Sequence, residues 1–521
     1  MAAPAAPATP ARGGFHPGSV LTDRQQYAAG ILMALGNLMI VLDLTVANVS
    51  IPHIAGSLGV SMDEGTWVIT SYAVAEAICV PLTGWLATRF GAVRMFIAAM
   101  CGFGLFSLLC GMSPTLGVLV VARIGQGLCG APIMPLSQTL MMRIFTPERR
   151  ARAIGVWAMT TMLGPALGPI VGGYISDNYS WHWIFLINVP IAIGCVLAAL
   201  SLLPPLETKT TKQPIDTIGL ALLVFWIGCL QIMLDVGREH DWFADWRIVA
   251  LAASSLIGFA VFVVWELTEE HPVVDLKVFR HPGFRYALGA LGLTFGAYMA
   301  SIVLIPQWLQ GNMGYTSRQA GLTTAFTALT AICVMPLAQR IIPKLDARVS
   351  VGLAILWMSV ISIVRSGWTS DATFWDLSWP QIAQGFAMPF FMVPLTILSL
   401  GSVDPDETAS AAGMQSFVRT LAIAIATSLV LTSWGNNQRT AQNSLADVLK
   451  PDQTMTTLAN AGMGPEQSRA YINSLVENQA VIIAVDRVFV SVAIVMIVSA
   501  VLVLLSPKPR AQQIPQGGGG H

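Results

Sequence analysis

The chain predicts an all-α polytopic membrane protein, with fourteen transmembrane helices arranged as two six-helix bundles and two inserted helices. Three observations carry that prediction. Hydrophobic residues make up 54% and charged residues 11%, with a mean hydropathy of +0.65, whereas a soluble domain is about 25% charged; a soluble fold is excluded. Apolar stretches long enough to cross the hydrocarbon core, roughly 20 residues each, recur along the chain. An internal repeat is also visible. PLTGWLATRFGAVR (81–94) is echoed by PLAQRIIPKLDAR (336–348), with Gly84 against Gln339 at an offset of 255, and RIGQG (123–127) is echoed by QIAQG (381–385) at 258. Two consecutive elements recurring at nearly one offset are the trace of two parallel halves.

Windows of about 19 residues place the helices at 27–50, 66–87, 95–112, 116–142, 152–175, 183–203, 216–235, 247–267, 285–310, 319–338, 349–365, 380–402, 409–433 and 482–505. Twelve spans with two buried or re-entrant segments is the alternative count. The first helix closes on the polar, proline-containing run LDLTVANVSIP (42–52), and the second leads into the repeated loop motif. The fifth holds GPALGPIVGG (164–173), four glycines and two prolines inside an apolar stretch. In water each interior proline costs about 3 kcal/mol. Within a membrane, neighbouring helices and local adjustment re-satisfy the freed carbonyls, so this segment reads as a bent, closely packed, moving helix. Helices 7 and 8 separate the repeats. The expected organisation is a disordered cytoplasmic tail at 1–26, bundles at 27–203 and 284–506, the inserted pair within 204–283, and a cytoplasmic tail at 507–521. The tail at 1–26 lacks the apolar core and cleavage site of a signal peptide.

With the N-terminus cytoplasmic, the tails and short inner loops hold eighteen Lys and Arg, and the short outer loops hold four, Arg238, Arg247, Arg318 and Arg365. The positive-inside rule then puts both termini in the cytoplasm and the long segment 434–481 outside. That segment has a polar first part and a helical-looking second part, GPEQSRAYINSLVENQAVIIA; it is too polar to span, and at about 48 residues it is long for a connection, so it is either a docking surface or a cover over the outer mouth. The net charge is zero and the basic residues form no stripe, so no nucleic-acid partner is expected. All seven cysteines fall in apolar segments without CxxC spacing, which reads as reduced and structural, with no metal site.

Four ionisable residues lie deep in spans: Asp43 in helix 1, Glu76 in helix 2, Arg123 in helix 4 and Arg419 in helix 13. Each costs about 2.5 to 3.5 kcal/mol on insertion scales, so each is expected to face a cavity or a partner. Burial penalises a charged carboxylate and a nearby guanidinium favours it, and that conflict makes a switchable proton site. Asp43 is expected to carry the proton, with Arg123 as charge partner and Glu76 as a second acid; the competing reading is a static buried ion pair. Gln126, one turn after Arg123, together with Asn48, Trp157 and Arg419, is a candidate cavity residue. Trp67, Tyr72 and Phe417 could line a pocket, although aromatics in membrane proteins mostly serve interfaces and packing. Asp235, Glu266, Asp486 and Arg487 sit at predicted helix ends, where an interfacial role is expected.

LDLTVANVSIP (42–52), GWLATRFGAVR (84–94), RIGQGLCGAP (123–132) and GPALGPIVGG (164–173) resemble, in order, four motifs of the fourteen-helix drug:proton antiporters of the major facilitator superfamily. WHWIFLINVP (181–190) and LQIMLDVGREHDWF (230–243) look like its EmrB branch. The resemblance implies the major facilitator fold and proton-coupled efflux of hydrophobic drug-like compounds across the bacterial inner membrane, driven by the proton motive force without a cofactor. It also implies a tripartite pump with a periplasmic, EmrA-like membrane fusion protein and a TolC-like outer-membrane channel. By resemblance Asp43 and Arg123 match the family's proton-coupling pair. Gly164, Pro165, Gly168, Pro169, Gly172 and Gly173 match its antiporter motif, and Gly84, Arg89, Gly91 and Arg94 match its gating loop. The loop departs from the pattern at Thr88, where an acid is usual, so gating is expected to rest on glycine turns and the two arginines.

A transporter of one metabolite on the same scaffold is the alternative. A membrane-embedded enzyme or sensor is the rival from another class. The chain contains no HExxH, GxSxG or GxxxxGK[ST], so zinc protease, serine hydrolase and direct ATP chemistry lack their usual residues, and no catalytic residues are expected.

Overall fold

The computed structural model describes residues 21–211, 214–237, 242–448, 458, 460 and 463–507; the outer parts of both predicted tails, and Arg238, lie outside them. Fourteen long helices follow in order. They are α1 (Asp23–Leu58), α2 (Glu64–Phe90), α3 (Ala92–Gly111), α4 (Leu116–Ile144), α5 (Pro147–Asn178), α6 (Trp183–Leu202) and α7 (Thr217–Val236). The chain continues with α8 (Trp246–Thr268), α9 (Pro282–Asn312), α10 (Gln319–Lys344), α11 (Ala347–Arg365), α12 (Phe374–Leu400), α13 (Thr408–Val448) and α14 (Pro465–Leu504). Thirteen are long and apolar enough to cross a membrane. The fourteenth, α5, has 32 residues and at 1.5 Å per residue runs about 48 Å.

The boundaries follow local chemistry. A capping box of Thr22 and Gln25 starts α1, and Gly59 at φ 66° ends it. The helix begins four residues before the predicted span and runs through Pro52, so the polar end expected near Asn48 and Pro52 is continuous helix. Within α2 a 3-10 turn at Val80–Leu82, entered by Pro81, separates Met62–Cys79 from Thr83–Phe90. Three prolines, Pro380, Pro389 and Pro394, lie inside an unbroken α12, as a membrane environment permits.

Two expectations need correction. The segment 434–481 has little loop: α13 continues to Val448 through the part expected to be a polar connection, and α14 starts at Pro465 in the part that reads as helical, giving helices of 41 and 40 residues. Each is about 60 Å long, twice the hydrocarbon thickness. Asp486 and Arg487 therefore sit well inside α14 and not at its end.

The strongest packing partnerships repeat. In the first half α1 packs on α5, α2 on α4 and α3 on α6; in the second α9 packs on α13, α10 on α12 and α11 on α14. The halves meet through α5 against α10 and α12, and through α13 against α2 and α4. The inserted pair packs together, and α7 docks on α2 and α13, at the border between the halves. On the side of the membrane where the chain starts and ends, Arg149 of α5 pairs with Asp23 of α1 at 2.8 Å. The counterpart in the second half joins Arg280, ahead of α9, to Asp404 at 2.8 Å and Glu407 at 3.0 Å, ahead of α13.

Candidate functional site

Asp43 and Arg123 meet in the dry interior of the first half. The Arg123 Nη1 donates to Asp43 Oδ2 at 2.6 Å, and both side chains are essentially fully buried. Two carboxamides complete the shell: Gln126 Nε2 donates to Asp43 Oδ1 at 3.0 Å and Asn188 Nδ2 donates to the same oxygen at 2.7 Å. Both carboxamides also donate to Ser107 Oγ at 3.1 Å. Arg123 is held in turn by the Gln126 Oε1 at 2.8 Å and by the Val68 carbonyl, which accepts from Nε at 2.9 Å. Its guanidinium lies 4.2 Å from the centre of the Tyr72 ring, a cation–π contact strengthened by desolvation. One carboxylate thus ties together α1, α2, α3, α4 and α6.

The predicted pair and Gln126 are brought together; Asn48 is exposed and takes no part. Sequence reading missed Asn188 and Ser107. Asn188 lies inside the quoted run WHWIFLINVP, where a polar residue at the start of an apolar helix was the available signal.

A second feature is the seam between α1 and α5. Thr45 Oγ1 donates to the Gly164 carbonyl at 3.1 Å, Asn37 Nδ2 donates to Thr160 and Thr161 hydroxyls at 2.7 and 2.9 Å, and the Ser50 and Ser176 hydroxyls lie 2.8 Å apart. A Cβ on Gly164 would run into the Val41 side chain, and one on Gly168 into Thr45. Glycine is required there for close approach. Pro165 and Pro169 belong to the same continuous helix, whereas Gly173 faces open space. The helix carrying Asp43 is therefore locked against the helix that meets the second half.

Glu76 and Arg419 sit where the halves face each other. Both are buried, and no hydrogen bond or ion pair joins them among the described residues. Glu76 belongs to α2 and Arg419 to α13. Arg419 reaches the Met134 sulfur and the Ser416 hydroxyl, and lies over the rings of Trp157 and Phe295. Trp157 is fully buried, its indole donating to Ser137 at 2.9 Å. Glu266, expected at an interface, is buried and accepts from the Val274 amide at 3.1 Å.

In the gating loop Gly91 adopts φ 92°, and Gly84 lies close against Ser410 of α13. Arg89 stacks on Trp85 and Phe90. The acid missing at Thr88 is supplied from elsewhere. Glu207, after α6, accepts from the backbone amides of Val93 and Arg94 at 3.1 and 3.0 Å and faces the Arg94 side chain at 3.8 Å. A carboxylate at a helix N-terminus also meets the favourable end of the dipole.

Arg365, counted from the sequence among the outer-loop arginines, is fully buried instead. Its position as the last residue of an apolar run hid it: α11 ends on it, and its guanidinium lies over the ring of Phe489 of α14.

The comparisons with known proteins agree on one family. The Major Facilitator Superfamily matches residues 33–427. The multidrug export protein EmrB of Escherichia coli K12 is 40% identical over 497 residues, which cover 94% of this chain and 97% of the relative. The fatty acid resistance protein FarB of Neisseria gonorrhoeae is 39% identical over 494 residues, with the same coverage of 94% and 97%. In fold, the human organic anion transporter MFSD10 superposes with a TM-score of 0.57 over 90% of this chain and 99% of that one, at 16% identity.

Proposed function

The chain belongs to the major facilitator superfamily, and from that premise we propose that it exports hydrophobic toxic compounds across the inner membrane in exchange for protons, by alternating access. The observation that carries the coupling is the buried Asp43, whose two oxygens accept from Arg123, Gln126 and Asn188. A proton arriving from outside adds to Asp43 Oδ2 and removes the charge that holds Arg123 Nη1. Arg123 keeps the Val68 carbonyl, the Gln126 oxygen and the Tyr72 face, so it has a resting place when the ion pair opens. The clasp between α1 and α4 then loosens, and the α1–α5 seam passes the change to α10 and α12, where α5 meets the second half. Substrate leaves outward on the loaded state, and release of the proton inward resets the pair. Glu76, facing Arg419 across the halves, is the second acid of the cycle. At 100 mV one charge is worth about 2.3 kcal/mol, or roughly 50-fold accumulation.

The relatives' names, multidrug export and fatty acid resistance, favour hydrophobic and amphiphilic substrates. Both termini are placed in the cytoplasm, which puts the overhanging ends of α13 and α14 outside, in position to meet an EmrA-like fusion protein and, through it, a TolC-like channel. Proteoliposomes carrying the purified protein and a lipophilic fluorescent dye test the proposal. Dye is expected to move against an imposed proton gradient, and to stop when a protonophore collapses it. Equal dye movement with and without the gradient would sink the proposal.

A further inference from the structure

The second half holds a buried cation that pairs with no carboxylate among the described residues. Arg365 is 2% exposed, and its guanidinium stays protonated at any physiological pH. No carboxylate among the described residues forms an ion pair with it. Among the described residues its guanidinium makes one hydrogen bond, from Nη2 to the Gln381 Oε1 at 2.7 Å, an oxygen that also accepts from the Thr327 hydroxyl at 3.2 Å. The Nε of Arg365 and the Nε2 of Gln381, itself 3% exposed, are both buried donors without an acceptor.

The repeat sets this arrangement beside the first half. The offset of 255 that relates Gly84 to Gln339 relates Ser107 to Ser362 and Asp43 to Tyr298, and the offset of 258 relates Arg123 to Gln381. The correspondence holds in space: Ser107 donates to the Phe185 carbonyl and Ser362 to the Phe489 carbonyl, both at 2.9 Å. Arg123 lies over Phe185 at 5.5 Å and Arg365 over Phe489 at 5.9 Å. Where the first half has the carboxylate of Asp43, the second has the phenol of Tyr298, a group that is neutral near pH 7.

An isolated buried charge is among the most costly groups a protein can contain. Arg365 Nε and Nη2 share one edge of the guanidinium fork, the edge that recognises anions, and Nη2 already lies on Gln381. A water could accept from a bare donor, but it brings two further protons and no charge. A small anion can accept from the guanidinium edge and supply the missing counter-charge.

We propose that Arg365 and Gln381 form a buried halide site, with chloride as the counter-ion of Arg365. Thermal unfolding of the purified full-length protein in sodium chloride and in sodium gluconate, at matched ionic strength, tests it. The unfolding midpoint is expected to rise saturably with chloride. Gln381→Glu, which supplies a carboxylate in place, is expected to lose that dependence. Diffraction from crystals grown in sodium bromide is expected to show an anomalous peak within hydrogen-bonding distance of Arg365 Nε. Identical wild-type midpoints in the two salts, chloride dependence that persists in Gln381→Glu, or the absence of bromide at Arg365 would each overturn the proposal.

Discussion

In the first half of the molecule a buried guanidinium lies against a carboxylate, with every oxygen of that carboxylate in use. At the related place in the second half a buried guanidinium lies against a carboxamide, with two donors left over. The same scaffold thus holds one buried cation with a carboxylate partner and one that bonds only to neutral groups among the described residues. Asp43 is bonded directly to side chains of α4 and α6, whereas Arg365 of α11 bonds to Gln381 of α12. On the proposed exchange cycle the proton-carrying pair therefore belongs to the first half, and the related place in the second carries no carboxylate.

The largest expected effect breaks the comparison at its charged centre. Arg123→Leu leaves the buried Asp43 without its counter-charge and is expected to cost about 3–5 kcal/mol, whereas Arg365→Leu leaves only neutral partners and is expected to cost about 1–3 kcal/mol. Unfolding midpoints of the two variants, each against wild type, decide the point; equal losses would remove the distinction between the halves.

Next comes the seam. In the first half the glycines lie on α5 and face Val41 and Thr45 of α1; in the second they lie on α9, where Gly292 and Gly296 face Val418 and Ala422 of α13. Gly168→Val is expected to cost about 1–3 kcal/mol through overpacking and to slow transport. Gly173→Ala, with no neighbour within 4 Å, is expected to be neutral or to stabilise α5 by up to about 1 kcal/mol. Transport rates and thermal midpoints measured together separate a jammed seam from an unstable protein.

Asn188→Ala sharpens the same contrast more gently. It strips one of the two hydrogen bonds to Asp43 Oδ1 and is expected to cost about 1–3 kcal/mol. Thr327→Val, which removes a donor that Gln381 shares with Arg365, is expected to cost about 1 kcal/mol. The smallest effect belongs to the gating loop. Arg94 is largely exposed in its pair with Glu207, so Glu207→Gln is expected to change stability by no more than about 1 kcal/mol, measurable as a small shift in midpoint.

Most of the architecture was legible because membrane helices announce themselves by length and apolarity. The site was legible where charge stood out against that background: Asp43, Arg123, Glu76 and Arg419 are conspicuous in apolar runs, and all four are buried. Ser107, Asn188 and the hydroxyls of the α1–α5 seam were not, because small polar residues are cheap enough to occur anywhere in a span. Arg365 was misplaced since a cation at the end of an apolar run looks interfacial in one dimension, and its partners, Gln381 of α12 and Phe489 of α14, are distant in sequence. The end of α13 was read as loop because a polar helix beyond the apolar span lacks the signal by which spans are counted, whereas the start of α14 was legible as helix in GPEQSRAYINSLVENQAVIIA. Glu207 could not be assigned to the gating loop either, as its partnership with Arg94 joins residues 113 positions apart.

The central claim is that the proton exchanged for substrate resides on Asp43. Its most direct test is proton release when dye binds to the purified protein in weakly buffered detergent solution, compared between wild type and Asp43→Asn. Proton release on dye binding in wild type, and its loss in an Asp43→Asn protein that still binds dye, is the predicted result. Equal release from both proteins would contradict the account and move the exchanged proton to another acid, with Glu76 the first to examine.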